Sequence, residues 1–202
     1  MELSAQHHST DVPTEWQKQN KTGRFGMWLF LAALTMLFGA CVVGYLIIRF
    51  RLSNKIELGS IQLPPVLWIS TIAILLSSLT IERACGLLQR DNIQGFKQQL
   101  LWTDMLSGLF VLTQVPGMAM LLRTHQQLVD DGVAMYGMVF MVILLHAIHV
   151  LGGLIPLGMI TKRAFTTGYT AQTFLPVRLL TMYWHFLGIV WIILFAMLFA
   201  MG

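Results

Sequence analysis

The sequence predicts an all-α fold, a polytopic membrane helix bundle with five transmembrane helices. Three observations carry that prediction. Of the 202 residues, 56% are hydrophobic and 11% charged, a balance too apolar for an ordinary water-soluble domain. The apolar residues gather into five runs, 25–48, 65–81, 100–122, 134–160 and 177–201. Each is close to the roughly 20 residues that cross a bilayer as a helix. Small residues recur along the runs, and they let helix backbones approach closely in lipid, where hydrophobic burial does not drive association.

The first 24 residues read as a polar tail that lacks the apolar core of a signal peptide. Its adjacent His7 and His8 could bind a metal, but two residues on a tail fall short of a ligand set. The first run carries Gly39, Cys41 and Gly44, and the second carries Ser77 and Ser78 and is followed by Cys85. Two separated thiols with apolar neighbours suggest packing, not a disulfide framework. On the third run Asp104, Ser107, Gly108, Val111 and Gln114 recur at three- or four-residue spacing, one polar and small face that should look into the protein. Pro116 lacks the donor for the Leu112 carbonyl and should kink this helix. The fourth run holds "HAIHVLGG" (146–153) and the fifth "YWHFLGIVW" (183–191).

An odd number of crossings puts the termini on opposite sides, and the bases choose which. Lys18, Lys21, Arg24, Arg83, Arg90, Lys97, Lys162, Arg163 and Arg178 fall on the N-terminal side, against Arg49, Arg51, Lys55 and Arg123 on the other. By the positive-inside rule the N-terminus faces the cytoplasm and the C-terminus the opposite side. The net charge of +4 therefore reflects loop bases between apolar runs, which excludes a nucleic-acid partner.

The chemistry-bearing residues inside the spans are few. At about 100° per residue, His146 and His149 lie about 60° apart, and Gly153 continues their face. With His185 they make three intramembrane imidazoles, which cannot serve two bis-histidine hemes; one heme would leave a histidine over. A three-imidazole zinc or copper site is geometrically possible. The reading that asks least is interhelical hydrogen bonding by His146, His149, His185 and Gln114. Asp104 is the single acid within a run, Glu82 sits at a helix end, and no nucleophile–base spacing stands out. On residues alone a small solute or ion transporter using the Asp104, Gln114 and histidine face stays open, as does a b-type cytochrome.

At His146, His149, Val150 and Gly153, and again at Tyr183, Trp184, His185, Phe186, Val190 and Trp191, the chain resembles subunit III of heme-copper terminal oxidases. "GMWLFLAALTMLFGA" (26–40), "SSLTIERA" (77–84) and the pair Phe110 and Gln114 extend the likeness along the chain. The likeness is to the short five-helix bacterial form found in quinol oxidases. It implies an accessory subunit of a proton-translocating cytochrome c or quinol oxidase, with no catalytic residue, cofactor or metal of its own. Heme and copper would sit in the partner catalytic subunit I, subunit II would be a second neighbour, and bound phospholipid is a further expectation. A relative serving a nitric oxide reductase is an alternative. The family's intramembrane glutamate on the first helix is Leu34 here, and two further acids are Gly117 and Gly188. Proton roles attributed to those carboxylates do not carry over. Asp104 is the candidate to replace the missing glutamate in part; the competing expectation is that it reaches the headgroups or pairs with Lys97.

Overall fold

The computed structural model describes residues 15–52, 66–128, 134–166 and 174–199. His7, His8, Lys55 and the run ends Pro65 and Met201 lie outside them. The described residues form five helices: α1 (Glu15–Leu52), α2 (Val66–Gln89), α3 (Ile93–Leu128), α4 (Ala134–Thr166) and α5 (Leu175–Phe199). Among the described residues there is no strand. Among the described residues four helices, α1, α2, α4 and α5, are long and apolar enough to cross a membrane. This is a membrane protein.

The helices overrun the apolar runs that mark them. The first begins at Glu15, so the polar segment expected over 1–24 is a helix from Glu15 onward. Glu, Gln and Lys are good helix formers, and apolar length reports only the part of a helix that meets hydrocarbon. Both helices with an internal proline, α3 with Pro116 and α4 with Pro156, continue past it.

Between α2 and α3 the chain reverses within three residues, Arg90 to Asn92, where the charge-rich sequence suggests a longer break. The Leu87 carbonyl accepts from both Arg90 N and Asn92 N, and Asp91 takes the left-handed conformation at φ 53°. Asp tolerates that region better than most side chains, since its short polar group bonds locally. Asn92 then caps α3, its Oδ1 accepting from Gly95 N at 3.0 Å. Asn92→Ala is expected to lower the unfolding free energy by about 1 kcal/mol, the usual cost of a lost N-cap. Thermal melting of the detergent-solubilised protein measures it.

The packing is ordered around α5, which touches α1, α2 and α4, while α3 lies between α2 and α4. The inward side of α5 is Trp184, Leu187 and Trp191, all buried; Ile189, Ile192 and Ile193 face out. Phe25, Trp28, Met36, Val43 and Phe50 of α1 are exposed, as suits side chains that meet acyl chains.

Candidate functional site

The polar residues of α5 meet α2 in a ladder along the bundle. Trp191 Nε1 donates to Thr71 Oγ1 at 3.0 Å, and Trp184 Nε1 donates to Ser77 Oγ at 2.9 Å. On the next rung His185 Nδ1 hydrogen-bonds Ser78 Oγ, and His185 Nε2 donates to Glu82 Oε2 at 3.0 Å, since a carboxylate only accepts. Arg178 Nη1 reaches Glu82 Oε1 at 3.4 Å. Thr80 and Thr103 join α2 to α3, hydroxyl to hydroxyl, at 2.9 Å. The indole bonds and Thr103 are inside the bundle, whereas Glu82, His185 and Arg178 stay 51%, 39% and 40% exposed.

The fourth helix places its two histidines differently. His146 is buried in an aromatic cage: its ring stacks on Trp191 with centroids 5.4 Å apart and meets Phe110 and Phe38 edge-on at 6.2 Å each. Neither ring nitrogen has a hydrogen-bond partner in the structure, so the interhelical bond expected of this side chain is replaced by ring stacking. The His149 Nδ1 bond goes to the Leu145 carbonyl of its own helix, at 2.7 Å. At His149 the bond across helices is made by the main chain, whose carbonyl accepts from Tyr183 Oη at 2.8 Å. The sixty-degree offset between the two rings is enough to put one in the core and the other at its edge.

Gly153 explains why α4 and α5 come so close at that level. A Cβ there would stand 2.8 Å from Tyr183 Cε1 and 3.0 Å from Trp184 Cζ3. Gly39, Gly108 and Gly152 have open space at the same test, so the small-residue faces read from sequence are contact points only in part. Phe186, the remaining residue of that motif, packs on Phe38 of α1 with centroids 6.5 Å apart.

On α3, Ser107 is buried and bonds the Thr103 carbonyl, while Gln114 is half-buried with Nε2 unpaired in the structure. Asp104 is half-buried beside Thr161 of α4. No ion pair joins it to Lys97 among the described residues; the Lys97 ammonium lies over the Phe165 ring, 5.3 Å from its centroid. Cys41 and Cys85 are free thiols. Among the described residues no three His, Cys, Asp or Glu side chains gather at metal-binding spacing, so His146, His149 and His185 do not form a three-imidazole site. A groove of about 680 Å³ opens between α1, α4 and α5, walled by Met27, Phe30, Gly152, Pro156, Arg163 and Tyr183.

Sequence reasoning placed Glu82 at a helix end and missed its bond to His185. Two faces could have shown it: Ser78 and Glu82 are one turn apart on α2, and Arg178 and His185 two turns apart on α5.

In this geometry the two motif-bearing helices of a membrane protein bind one another, and the fifth also binds α2. The family model for cytochrome c oxidase subunit III matches residues 9–202. The chain belongs to the cytochrome c oxidase subunit III family. It is 26% identical over 201 residues to quinol oxidase subunit 3 of Bacillus subtilis, covering 98% of this chain and 97% of that one. Cytochrome bo(3) ubiquinol oxidase subunit 3 of Pseudomonas aeruginosa is 27% identical over 184 residues, 88% of this chain and 84% of its own. Cytochrome c oxidase subunit 3 of Bacillus sp. strain PS3 is 25% identical over 189 residues, 91% and 88%. Relatives named for quinol and for cytochrome c thus lie at nearly equal identity, and overall likeness does not sort the electron donor.

Proposed function

We propose that this chain is the accessory, non-redox subunit III of a respiratory heme-copper oxidase in the inner (plasma) membrane, sustaining the assembly, stability and proton uptake of the catalytic subunit. The family match over 9–202 carries the reading. Catalytic subunit I, holding heme and copper, and subunit II are its neighbours. All five helices cross the membrane, with the N-terminus cytoplasmic. The third does so as part of the bundle, its polar residues turned toward α2 and α4, as intramembrane polar groups are arranged elsewhere. The groove between α1, α4 and α5 has apolar walls that suit the acyl chains of a bound phospholipid.

The test is purification of the tagged chain from its native membranes. Co-elution with larger subunits and with heme absorbance is the expected result. Recovery of a monodisperse chain alone, or with solute uptake in liposomes, would overturn it. Asp104 is the acid through which this chain would contribute to proton collection. Asp104→Asn is expected to slow proton uptake and shorten the working life of the oxidase while the complex still assembles. Unchanged turnover, pumping and lifetime would leave that carboxylate a structural role only.

A further inference from the structure

The groove between α1, α4 and α5 is not apolar throughout. It follows α4 from Arg163 to Ile148, about 22 Å at 1.5 Å per residue. Much of its wall is aliphatic or thioether, and the rings of Phe30 and Tyr183 meet in it with centroids 5.9 Å apart. On the α4 side two hydrogen-bond acceptors stand open. Pro156 has no N–H, so the Gly152 carbonyl, four residues before it, lacks its ordinary helical donor. Both residues line the groove, and Gly152 is exposed there, with nothing within 4 Å of its Cβ position. One turn earlier His149, half-buried, is in the same wall. Its Nδ1 donates to the Leu145 carbonyl, since a carbonyl only accepts, and the neutral ring then keeps Nε2 as an acceptor. The Tyr183 hydroxyl gives its proton to the His149 carbonyl and leaves Nε2 unserved. The two acceptors are three residues apart on one face, about 4.5 Å along the axis.

We propose that this groove is a binding site for a quinol, an aromatic diol on a long isoprenoid chain, whose hydroxyls donate to His149 Nε2 and the Gly152 carbonyl while the chain lies along the apolar wall. Acyl chains suit the same wall but bring no donor to that place, and an acceptor covered by hydrocarbon without a donor costs free energy. A sterol or fatty alcohol has one hydroxyl for two acceptors. A quinone has the same ring and chain but only accepts, so the site selects the reduced form. The assignment goes beyond the reading of the chain as an oxidase subunit and stands apart from it.

Photolabelling tests this. The full chain, with the subunits that co-purify, is placed in phosphatidylcholine nanodiscs under argon and irradiated with a ubiquinol whose tail carries a diazirine, or with the corresponding quinone. Adducts within 148–160 and 176–183 are expected, several-fold more with the quinol than with the quinone, and displaced by decylubiquinol. Pro156→Ala gives the Gly152 carbonyl its helical donor and removes a poor helix former, so it is expected to cut labelling several-fold with the melting temperature kept or raised. His149→Phe, which removes the other acceptor, is expected to cut it likewise. Equal labelling by quinol and quinone, or labelling that Pro156→Ala leaves unchanged, overturns the site. Labelling displaced by added phosphatidylethanolamine and not by decylubiquinol also overturns it and makes the groove a phospholipid site. Heme absorbance of the same preparation is read separately: its absence overturns the oxidase reading and leaves the quinol site standing.

Discussion

Gly153→Ala is expected to destabilise the bundle by about 1–3 kcal/mol, the range for a methyl group forced into a packed site. The added carbon would stand 2.8 Å from one ring atom of Tyr183 and 3.0 Å from one of Trp184, closer than carbon atoms rest. Neither ring can yield easily. The Tyr183 hydroxyl is held by the His149 carbonyl at 2.8 Å, and the Trp184 indole by Ser77 at 2.9 Å. Relief requires α4 and α5 to move apart, which would break the first of these bonds. Gly152→Ala is the control, since nothing lies within 4 Å of its Cβ position and alanine is the better helix former. Thermal melting should therefore separate two adjacent glycines, with Gly153→Ala lowered and Gly152→Ala unchanged or raised. Equal melting temperatures would mean that the close approach at Gly153 does not contribute to stability.

The contrast between those glycines marks the limit of reading this fold from sequence. Apolar length located the helices, because hydrocarbon thickness is a one-dimensional requirement that a run of residues either meets or does not. It gave no warning that α1 starts at Glu15 or that three residues suffice between α2 and α3, since those depend on helix propensity and capping outside the hydrocarbon. Faces were legible and their partners were not. His146 and His149 share a face and both meet Phe38, but only the positions of Trp191 and Phe110, from two other helices, make one a caged ring and leave the other bonding its own helix. Glu82 and His185 are 103 residues apart, and no local pattern on either helix names the other.

Trp184→Ala is expected to have the largest effect of any single substitution on the chain, a loss of about 3–5 kcal/mol by analogy with buried aromatic truncations. Trp184 is fully buried where α5 meets α2 and α4, and it does two things there. Its ring fills the space that Gly153 leaves open, and its Nε1 donates to Ser77, whose hydroxyl in turn donates to the Ile74 carbonyl at 2.9 Å. Truncation removes the packing of the ring against both helices and takes away one hydrogen bond of a buried hydroxyl. Lipid weakens the transfer contribution, because acyl chains are as apolar as the core, but van der Waals packing between helices is what holds a membrane bundle together, and that is lost in full. Trp184→Phe separates the two parts. It keeps most of the ring and removes the donor, and should cost only about 1 kcal/mol, the net worth of one hydrogen bond. The measurement is the fraction of chain recovered in folded, monodisperse form after a temperature series. Recovery should fall steeply for Trp184→Ala and slightly for Trp184→Phe. If both variants fell equally, the indole bond to Ser77 would outweigh the packing, and the junction of α2, α4 and α5 would be held by its polar ladder instead of by the fit of a ring against a glycine.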